Sequence, residues 1–217
     1  MHSSVKNLIY IEDLIKSKVN HDKLPKIIAV SKTFPIKNIL PLVEHGHIHY
    51  GENKVQEALD KWTDIKNKNH NIQLHLIGRL QTNKVKFALR IFDYIHSLDN
   101  QKLADTLAKS QNNLNKNLKY FIQVNIGNEM QKSGIPVSEL DPFYNYCTKE
   151  KKLDILGLMV IPPNDKDNKK YFKSLNELNN SLALSDLSMG MSADYMDAIN
   201  FGSTYIRIGS LIFGKRS

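Results

Sequence analysis

The chain has 217 residues, of which 41% are hydrophobic, and its formal net charge is +8 at pH 7. This length suits one larger α/β unit better than two domains of average size, so we expect a single domain over residues 1–217. The one cysteine, Cys147, excludes an internal disulfide and a multi-cysteine metal site, and we expect it to be a small core residue.

The positive charge invites the hypothesis of a nucleic-acid partner, but the distribution of the basic residues argues against it. The 30 lysine and arginine residues are scattered among asparagine and aspartate, and no segment alternates basic with aromatic residues as a stacking groove does. We therefore expect a solvated basic surface and no nucleic-acid partner.

The N-terminal residues lack the charged and apolar regions of a secretory signal, and no apolar run approaches the ~20 residues that cross a bilayer. We expect a cytoplasmic protein with no membrane partner, and the single cysteine fits a reducing compartment. No strongly apolar, exposed helix face is evident, which favours a monomer.

Short apolar runs alternate with amphipathic segments along the chain. An amphipathic segment at 5–19 predicts a helix before the first run, and Pro41 predicts that the helix at 36–43 is short or kinked. Most of the runs are continuous, which is typical of parallel strands buried on both faces. The eight predicted strands are 27–31, 48–51, 74–78, 94–98, 120–126, 155–161, 187–191 and 205–213.

Eight strands alternating with helices predict a single (β/α)8 TIM-type barrel of the α/β class with an extra N-terminal helix. A doubly wound open sheet shows the same alternation and is the structural alternative. No Gly-x-Gly-x-x-Gly motif follows a strand, which disfavours a dinucleotide-binding version of that sheet.

Lys32 follows the first predicted strand, and the ends of barrel strands form the active face. Such a lysine either extends its amine from the rim into solvent or forms a desolvated amine that attacks an aldehyde. The lysine alone does not decide between these roles.

The C-terminal segment indicates an anion site. Ser192 is expected to open a helix at 193–201, and Gly209 and Ser210 supply small residues that let the backbone approach a phosphate. Each feature is also explained by helix capping or turn formation. Together with Lys32, they predict a phosphorylated aldehyde that is held at both ends.

Arg207 lies within the last apolar run. It either pairs with a buried carboxylate or faces the ring nitrogen of a cofactor, which it would keep unprotonated because arginine offers only donors.

An ordered set of motifs resembles the pyridoxal phosphate homeostasis protein family and, more distantly, the barrel domain of alanine racemase. The set extends from about residue 27 to the end of the chain. The motifs are AVSKT at 29–33, GEN at 51–53, VQE at 55–57, HLIG at 75–78, LQTNK at 80–84, KSG at 132–134, GLM at 157–159, SMGMS at 188–192, GST at 202–204, RIG at 207–209 and IFG at 212–214.

The resemblance implies a fold-type III barrel that binds pyridoxal 5′-phosphate (PLP), the cofactor form of vitamin B6, as a Schiff base on Lys32. It implies no metal site and no catalytic residue. The other residues that it assigns to the cofactor are Ser192, Gly209 and Ser210 at the phosphate, Arg207 at the pyridine nitrogen, and Asn53 and His75 in the pocket wall.

Four further basic residues bear on the resemblance. Lys54 and Arg79 stand where many relatives have other residues, and they alter the charge of the pocket without removing an anchor. Lys84 and Lys132 resemble recurrent lysines of the family. They are either secondary contacts for PLP or phosphate, or surface ion-pairing residues.

The resemblance implies a role in PLP homeostasis, in which the protein buffers the cofactor and delivers it to apo PLP-dependent enzymes. The alternative is a PLP-dependent amino-acid racemase, which needs a proton acceptor on each face of the substrate. In alanine racemase the second base comes from an additional C-terminal domain, and this chain ends at Ser217. We therefore expect a binding protein rather than an enzyme.

Overall fold

The computed structural model describes residues 1–19, 24–129, 131–163 and 167–214. Its strands are β1 Lys26–Val30, β2 His49–Glu52, β3 Gln73–Leu76, β4 Tyr94–Leu98, β5 Lys119–Asn125, β6 Ile135–Pro136, β7 Asp154–Met159, β8 Asp186–Met191 and β9 Tyr205–Ile208. Its α-helices are α1 Ser3–Lys18, α2 Ile36–Glu44, α3 Val55–Lys68, α4 Val85–Ile91, α5 Gln101–Leu114, α6 Leu140–Asn145, α7 Lys169–Ser181, α8 Tyr195–Asn200 and α9 Ser210–Phe213.

The strands close into a parallel barrel. They pair in the order β4-β3-β2-β1-β9-β8-β7-β5, and β5 pairs with β4 to complete the ring. The two-residue strand β6, which the sequence pattern did not indicate, adds to β5 outside this ring. The predicted eight-stranded barrel with a preceding helix is confirmed, and the pairing of β4 with β5 rules out the open-sheet alternative.

Two apolar layers hold the barrel together. The larger layer lies between strands and helices and includes Trp62, which is fully buried with its ring 4.6 Å from that of Tyr50. The smaller layer fills the barrel interior and contains Ile28, Val30, Tyr94, Phe121, Met159 and Tyr205. Because side chains alternate along a strand, the two layers are supplied by the two faces of the same strands.

The structure corrects two predicted elements near the C-terminus. The last strand ends at Ile208 rather than at residue 213, and Ser210–Phe213 forms the short helix α9, which buries Ile212. Both a strand and a buried helix produce a continuous apolar run, so the pattern did not separate them. Helix α8 begins at Tyr195 rather than at residue 193, because the Asp194 side chain accepts the Met191 N–H at 2.7 Å and holds that segment in a turn.

Two smaller expectations are confirmed. Helix α2 is short, at nine residues, and contains Pro41. Cys147 is fully buried, and burial raises the pKa of its thiol to about 12, as befits an unreactive core residue. Among the described residues, no helix is both long enough and apolar enough to cross a bilayer.

Candidate functional site

A cavity of about 540 Å³ opens at the C-terminal ends of the barrel strands. This volume lies within the roughly 300–1,000 Å³ of typical ligand pockets. Six of the seven cofactor residues predicted from the sequence line it: Lys32, Asn53, Ser192, Arg207, Gly209 and Ser210. Lys32 and Arg207 are the charged side chains of the described lining, so the cavity favours an anion.

Lys32 is half-buried, two residues beyond the end of β1. The next residue, Thr33, has a φ of +66°, which a β-branched side chain rarely adopts. Its N–H donates to Oε1 of Glu57 at 2.7 Å, and this bond holds the unusual backbone in place. The chain thus turns sharply at the lysine, which keeps the amine at the mouth of the barrel.

A buried ion-pair network on the other side of Lys32 strengthens this arrangement. The carboxylate of Glu52, fully buried at the end of β2, accepts bonds from Ser31 Oγ at 2.7 Å and from Lys61 Nζ and Trp62 Nε1 at 2.9 Å. Lys61 Nζ also donates to the carbonyl oxygen of Ser31 at 2.9 Å and to Glu57 at 3.0 Å. Helix α3 is thereby tied to both residues that flank Lys32.

Lys61 was not predicted from the sequence to belong to the site. Glu52 and Glu57 were named only as members of the GEN and VQE motifs. One signal was available, since Glu57 and Lys61 are four residues apart on α3 and such a pair shares a helix face. That the same lysine reaches Glu52 and Ser31 depends on how α3 packs on the barrel, which the spacing does not reveal.

Asn53 lines the cavity and presents an unsatisfied polar atom. Its Oδ1 is buried and has no hydrogen-bond partner among the described residues. The residue is held by close backbone packing, because a Cβ at Gly78 would lie 2.4 Å from the carbonyl oxygen of Asn53. An orphaned amide oxygen beside a cavity is a fitting partner for a ligand hydroxyl or protonated nitrogen.

Ser192, Gly209 and Ser210 meet at one end of the cavity. The Gly209 N–H donates to Ser192 Oγ at 3.3 Å, and helix α9 begins at Ser210, where the first N–H groups have no acceptor within the helix. The hydroxyl of Ser192 does not cap α8, because that helix begins three residues later. Hydroxyls and backbone N–H groups are suitable donors for a phosphate.

The guanidinium of Arg207 is buried beneath the cavity. It donates through Nη1 to the Ser188 carbonyl oxygen at 2.7 Å and to Ser188 Oγ at 2.8 Å, and through Nη2 to the Val160 carbonyl oxygen at 2.7 Å. These acceptors, rather than the carboxylate that was one alternative, hold it in place. Burial lowers the pKa of Arg207 to about 10, so the group is charged at neutral pH.

The bonds of Arg207 within the described residues use three of its five N–H donors. The Nε–H and one Nη2–H remain for the cavity that Arg207 lines. A ligand nitrogen that accepts one of them cannot carry its own proton at that position.

His75 does not line this cavity. It is fully buried in the barrel interior, where its ring nitrogens lie 3.0 Å from His49 Nδ1 and 2.9 Å from His96 Nε2. His75 is the third residue of β3, two residues before Ile77, which follows the end of that strand and lines the cavity. Its side chain therefore points into the barrel at a lower level.

The other basic residues singled out from the sequence lie outside the described cavity wall. Lys132 forms an ion pair with Glu129 at 2.6 Å, and Lys84 Nζ lies 5.9 Å from the ring centre of Phe87. Arg79 and Lys132 line a separate cleft. Lys54 precedes the first turn of α3.

Comparison with known proteins places these features in a family. The family described as alanine racemase, N-terminal domain, matches residues 13–217. The pyridoxal phosphate homeostasis protein of Aquifex aeolicus is 41% identical over 202 residues, which cover 88% of this chain and 87% of that protein. The chain belongs to the pyridoxal phosphate homeostasis protein family.

Solved structures agree with this membership of the pyridoxal phosphate homeostasis protein family. PipY of Synechococcus elongatus PCC7942, solved with PLP bound, has a TM-score of 0.86 and 30% identity, covering 97% of this chain and 100% of that chain. Alanine racemase from Acinetobacter baumannii has a TM-score of 0.75 at 18% identity, covering 99% of this chain and 61% of that chain. The racemase comparison shows a shared fold.

Proposed function

We propose that this protein binds PLP at the cavity, holds it through a Schiff base on Lys32, and serves PLP homeostasis by storing the cofactor and delivering it to apo enzymes. One observation carries the proposal: an amine, a group of hydroxyl and backbone N–H donors and a buried guanidinium line a single cavity of suitable size. The relationship to PipY, which was solved with PLP bound, supports the same ligand.

The residues of the cavity have complementary roles in this proposal. Lys32 would hold the cofactor through its amine, and PLP would supply the aldehyde with which that amine condenses, with loss of water. Ser192 Oγ and the N–H groups at Gly209 and Ser210 bind the phosphate, and Arg207 donates to the ring nitrogen. Asn53 Oδ1, which is buried without a hydrogen-bond partner among the described residues, would accept a hydrogen bond from a donor of the cofactor.

The composition of the cavity wall favours storage over racemisation. A racemase needs a proton acceptor on each face of its substrate. Within the described lining, the Lys32 amine is the single candidate for such a proton acceptor, since Arg207 stays charged at neutral pH and the remaining polar side chains carry hydroxyls or an amide.

Borohydride reduction in the presence of PLP tests the attachment site. Peptide mass mapping should locate the reduced pyridoxyl group on Lys32, and Lys32→Ala should lose the label and the yellow absorption while remaining folded. Lys132→Ala and Lys84→Ala are matched controls that should retain both. Label that persists in Lys32→Ala and disappears in either control would overturn the assignment.

Delivery is tested separately by mixing the loaded protein with an excess of an apo PLP-dependent enzyme and measuring the recovery of that enzyme's activity. We expect recovery from the native protein and none from borohydride-reduced protein, whose cofactor is trapped. Rapid racemisation of any amino acid by the loaded protein alone would instead favour the enzymatic alternative.

A further inference from the structure

Three histidines and a serine form a continuous hydrogen-bonded path through the barrel interior. His49 Nδ1 lies 3.0 Å from His75 Nε2, and His75 Nδ1 lies 2.9 Å from His96 Nε2. His96 Nδ1 lies 2.8 Å from Ser188 Oγ, which accepts from Arg207 Nη1 at 2.8 Å. We call His49, His75, His96 and Ser188 the histidine network.

The strand register explains how this path climbs through the barrel. His49 is the first residue of β2, and His75 pairs with Gly51, two residues further up that strand. His75 in turn pairs with Tyr94, and His96 lies two residues above it on β4. The step from His96 to Ser188 then crosses the interior from β4 to β8. The path thus runs from the N-terminal end of the barrel to the floor of the cofactor cavity.

Aromatic packing holds the rings in this path. His75 stacks on Tyr94 with ring centres 4.3 Å apart, and His96 stacks on Phe121 at 4.4 Å. His75, His96 and Ser188 are fully buried, whereas His49 is half-buried and lines a separate cavity at the N-terminal end. One end of the path is therefore closed by Arg207, and the other end is accessible.

The surroundings keep the three imidazoles neutral. Burial lowers the pKa of His49 to about 4 and the pKa values of His75 and His96 well below the ordinary value. The charged or titratable groups that face them are the cationic Lys26, Lys66 and Arg207, the phenols of Tyr94 and Tyr205, and the imidazole of His47, whose own pKa burial lowers to about 4. Among the described residues, no carboxylate is close enough to compensate a positive charge on a ring.

Arg207 determines the direction of the hydrogen bonds. Because a guanidinium only donates, Ser188 Oγ accepts from it, and the serine proton must go to another acceptor. The one within reach among the described residues is His96 Nδ1. A neutral ring that accepts at Nδ1 carries its proton on Nε2, so His96 donates to His75 Nδ1, and His75 donates from Nε2 to His49 Nδ1.

We propose that the histidine network is a directional hydrogen-bond relay that positions Arg207 for the cofactor ring, so that His49, at the opposite end of the barrel, influences the cofactor site through four successive hydrogen bonds. His49, His75, His96 and Ser188 are positioning residues, because none of them lines the cofactor cavity. The role of the network toward PLP rests on the proposed function, whereas the order of its protons is a property of the protein without ligand.

The proton order is tested on the protein without PLP, labelled with nitrogen-15 in histidine. Long-range proton–nitrogen spectra at pH 7.5 should show His49, His75 and His96 as neutral rings protonated at Nε2. Protonation at Nδ1 of His75 or His96, or a charged imidazolium at either position, would overturn the proposed direction. This measurement needs no variant and no bound cofactor, so it stands even if Lys32 is never labelled.

The coupling is tested with His49→Phe, which removes the acceptor of His75 Nε2 at the accessible end. We expect the His96 ring signals to shift although His96 is two links away, and we expect PLP to bind several-fold more weakly with an altered visible absorption maximum. The matched control is His47→Phe. His47 is also half-buried at the same end, but its Nε2 bonds to the backbone carbonyl oxygen of His49 and to none of the network's side chains, so His47→Phe should leave the His96 signals and the absorption maximum unchanged.

A second pair of variants examines the link next to Arg207. Ser188→Ala should weaken PLP binding at least ten-fold and move the absorption maximum of the bound cofactor, and Ser188→Thr should restore part of both because it returns the hydroxyl. Unchanged His96 signals in His49→Phe, or an unchanged absorption maximum in folded Ser188→Ala, would overturn the relay and show that these residues contribute only to core packing. If the protons are ordered as described but PLP does not bind, the failure lies in the proposed function.

Discussion

Lys61 Nζ lies 2.9 Å from the carbonyl oxygen of Ser31, the residue that precedes Lys32. This bond joins helix α3 to the segment that presents the proposed Schiff-base lysine. The same amine neutralises the carboxylate of Glu52, whose side chain is fully buried. The position of Lys32 therefore depends on a buried ion pair that does not itself line the cavity.

Replacement of Lys61 should affect both stability and cofactor binding. In Lys61→Met the buried Glu52 loses its counter-ion, which should lower the free energy of unfolding by about 3–5 kcal/mol. Release of the Ser31 carbonyl should also slow the reaction of Lys32 with PLP. Urea denaturation and the rise of the visible absorption band measure the two effects.

Lys68→Met is a matched control on the exposed end of the same helix and should change neither quantity. The double variant Lys61→Met with Glu52→Gln should recover part of the stability, because no charge then remains buried without a partner. Equal stability of the native protein and Lys61→Met would show that the ion pair contributes little.

Removal of the Ser192 hydroxyl tests the phosphate site. Ser192→Ala should weaken PLP binding by about 1–3 kcal/mol, since a bond to a charged phosphate is lost. Pyridoxal, which has no phosphate, should bind Ser192→Ala and the native protein almost equally. Ser185→Ala, at an exposed position outside the cavity, provides the control in the same equilibrium titration. An equal loss for both ligands would assign Ser192 a structural role instead.

The N–H donors of Arg207 lead to a prediction for the protonation state of the pyridine nitrogen of bound PLP. Because arginine offers only donors, a pyridine nitrogen that bonds to it should be unprotonated at neutral pH. Nitrogen-15 spectra of labelled PLP on the native protein should show this state. Arg207→Lys should bind PLP more weakly, because an ammonium has three N–H donors for four acceptors: the Ser188 carbonyl and hydroxyl oxygens, the Val160 carbonyl oxygen and the ring nitrogen. A protonated pyridine signal in the native protein would place another group at the ring nitrogen.

The buried histidines predict a loss of stability in mild acid. Burial holds the pKa of His49 at about 4 against an ordinary value of 6.5, so the unfolded chain binds more protons than the folded protein between these values. The contribution of the neutral His49 ring to the free energy of unfolding is complete above pH 6.5 and falls as the pH decreases. We expect roughly 1–2 kcal/mol lower free energy of unfolding per buried histidine between pH 7 and pH 5.

Urea denaturation at a series of pH values measures this slope, which is the change in the free energy of unfolding per unit of pH. His75→Phe should flatten it, since phenylalanine keeps the stacking on Tyr94 but does not titrate. The lowered pKa of Glu57 affects stability only below its ordinary value of 4.5, outside this range. A slope that is the same in the native protein and His75→Phe would show that His75 does not contribute to it.

Much of the barrel could be predicted because its strands and helices produce recognisable local patterns in the sequence. Continuous apolar runs mark strands covered on both faces, and the rule that active groups follow such strands led to Lys32 and Asn53. The boundaries near Gly209 were wrong because an apolar run does not distinguish a strand from a short buried helix. Cofactor roles came from the resemblance, since a lysine at a strand end serves many purposes.

The sequence alone therefore determined the alternation of elements, the family resemblance and the residues at the strand ends. The tertiary structure decided that β4 pairs with β5, that Lys61 holds Ser31, and that His75 lies in the interior rather than at the cavity. These relationships depend on closure of the barrel, which brings together residues far apart in the chain. His96 and Ser188 are 92 positions apart in the chain yet share a 2.8 Å hydrogen bond. A local sequence pattern does not indicate a contact between residues so widely separated.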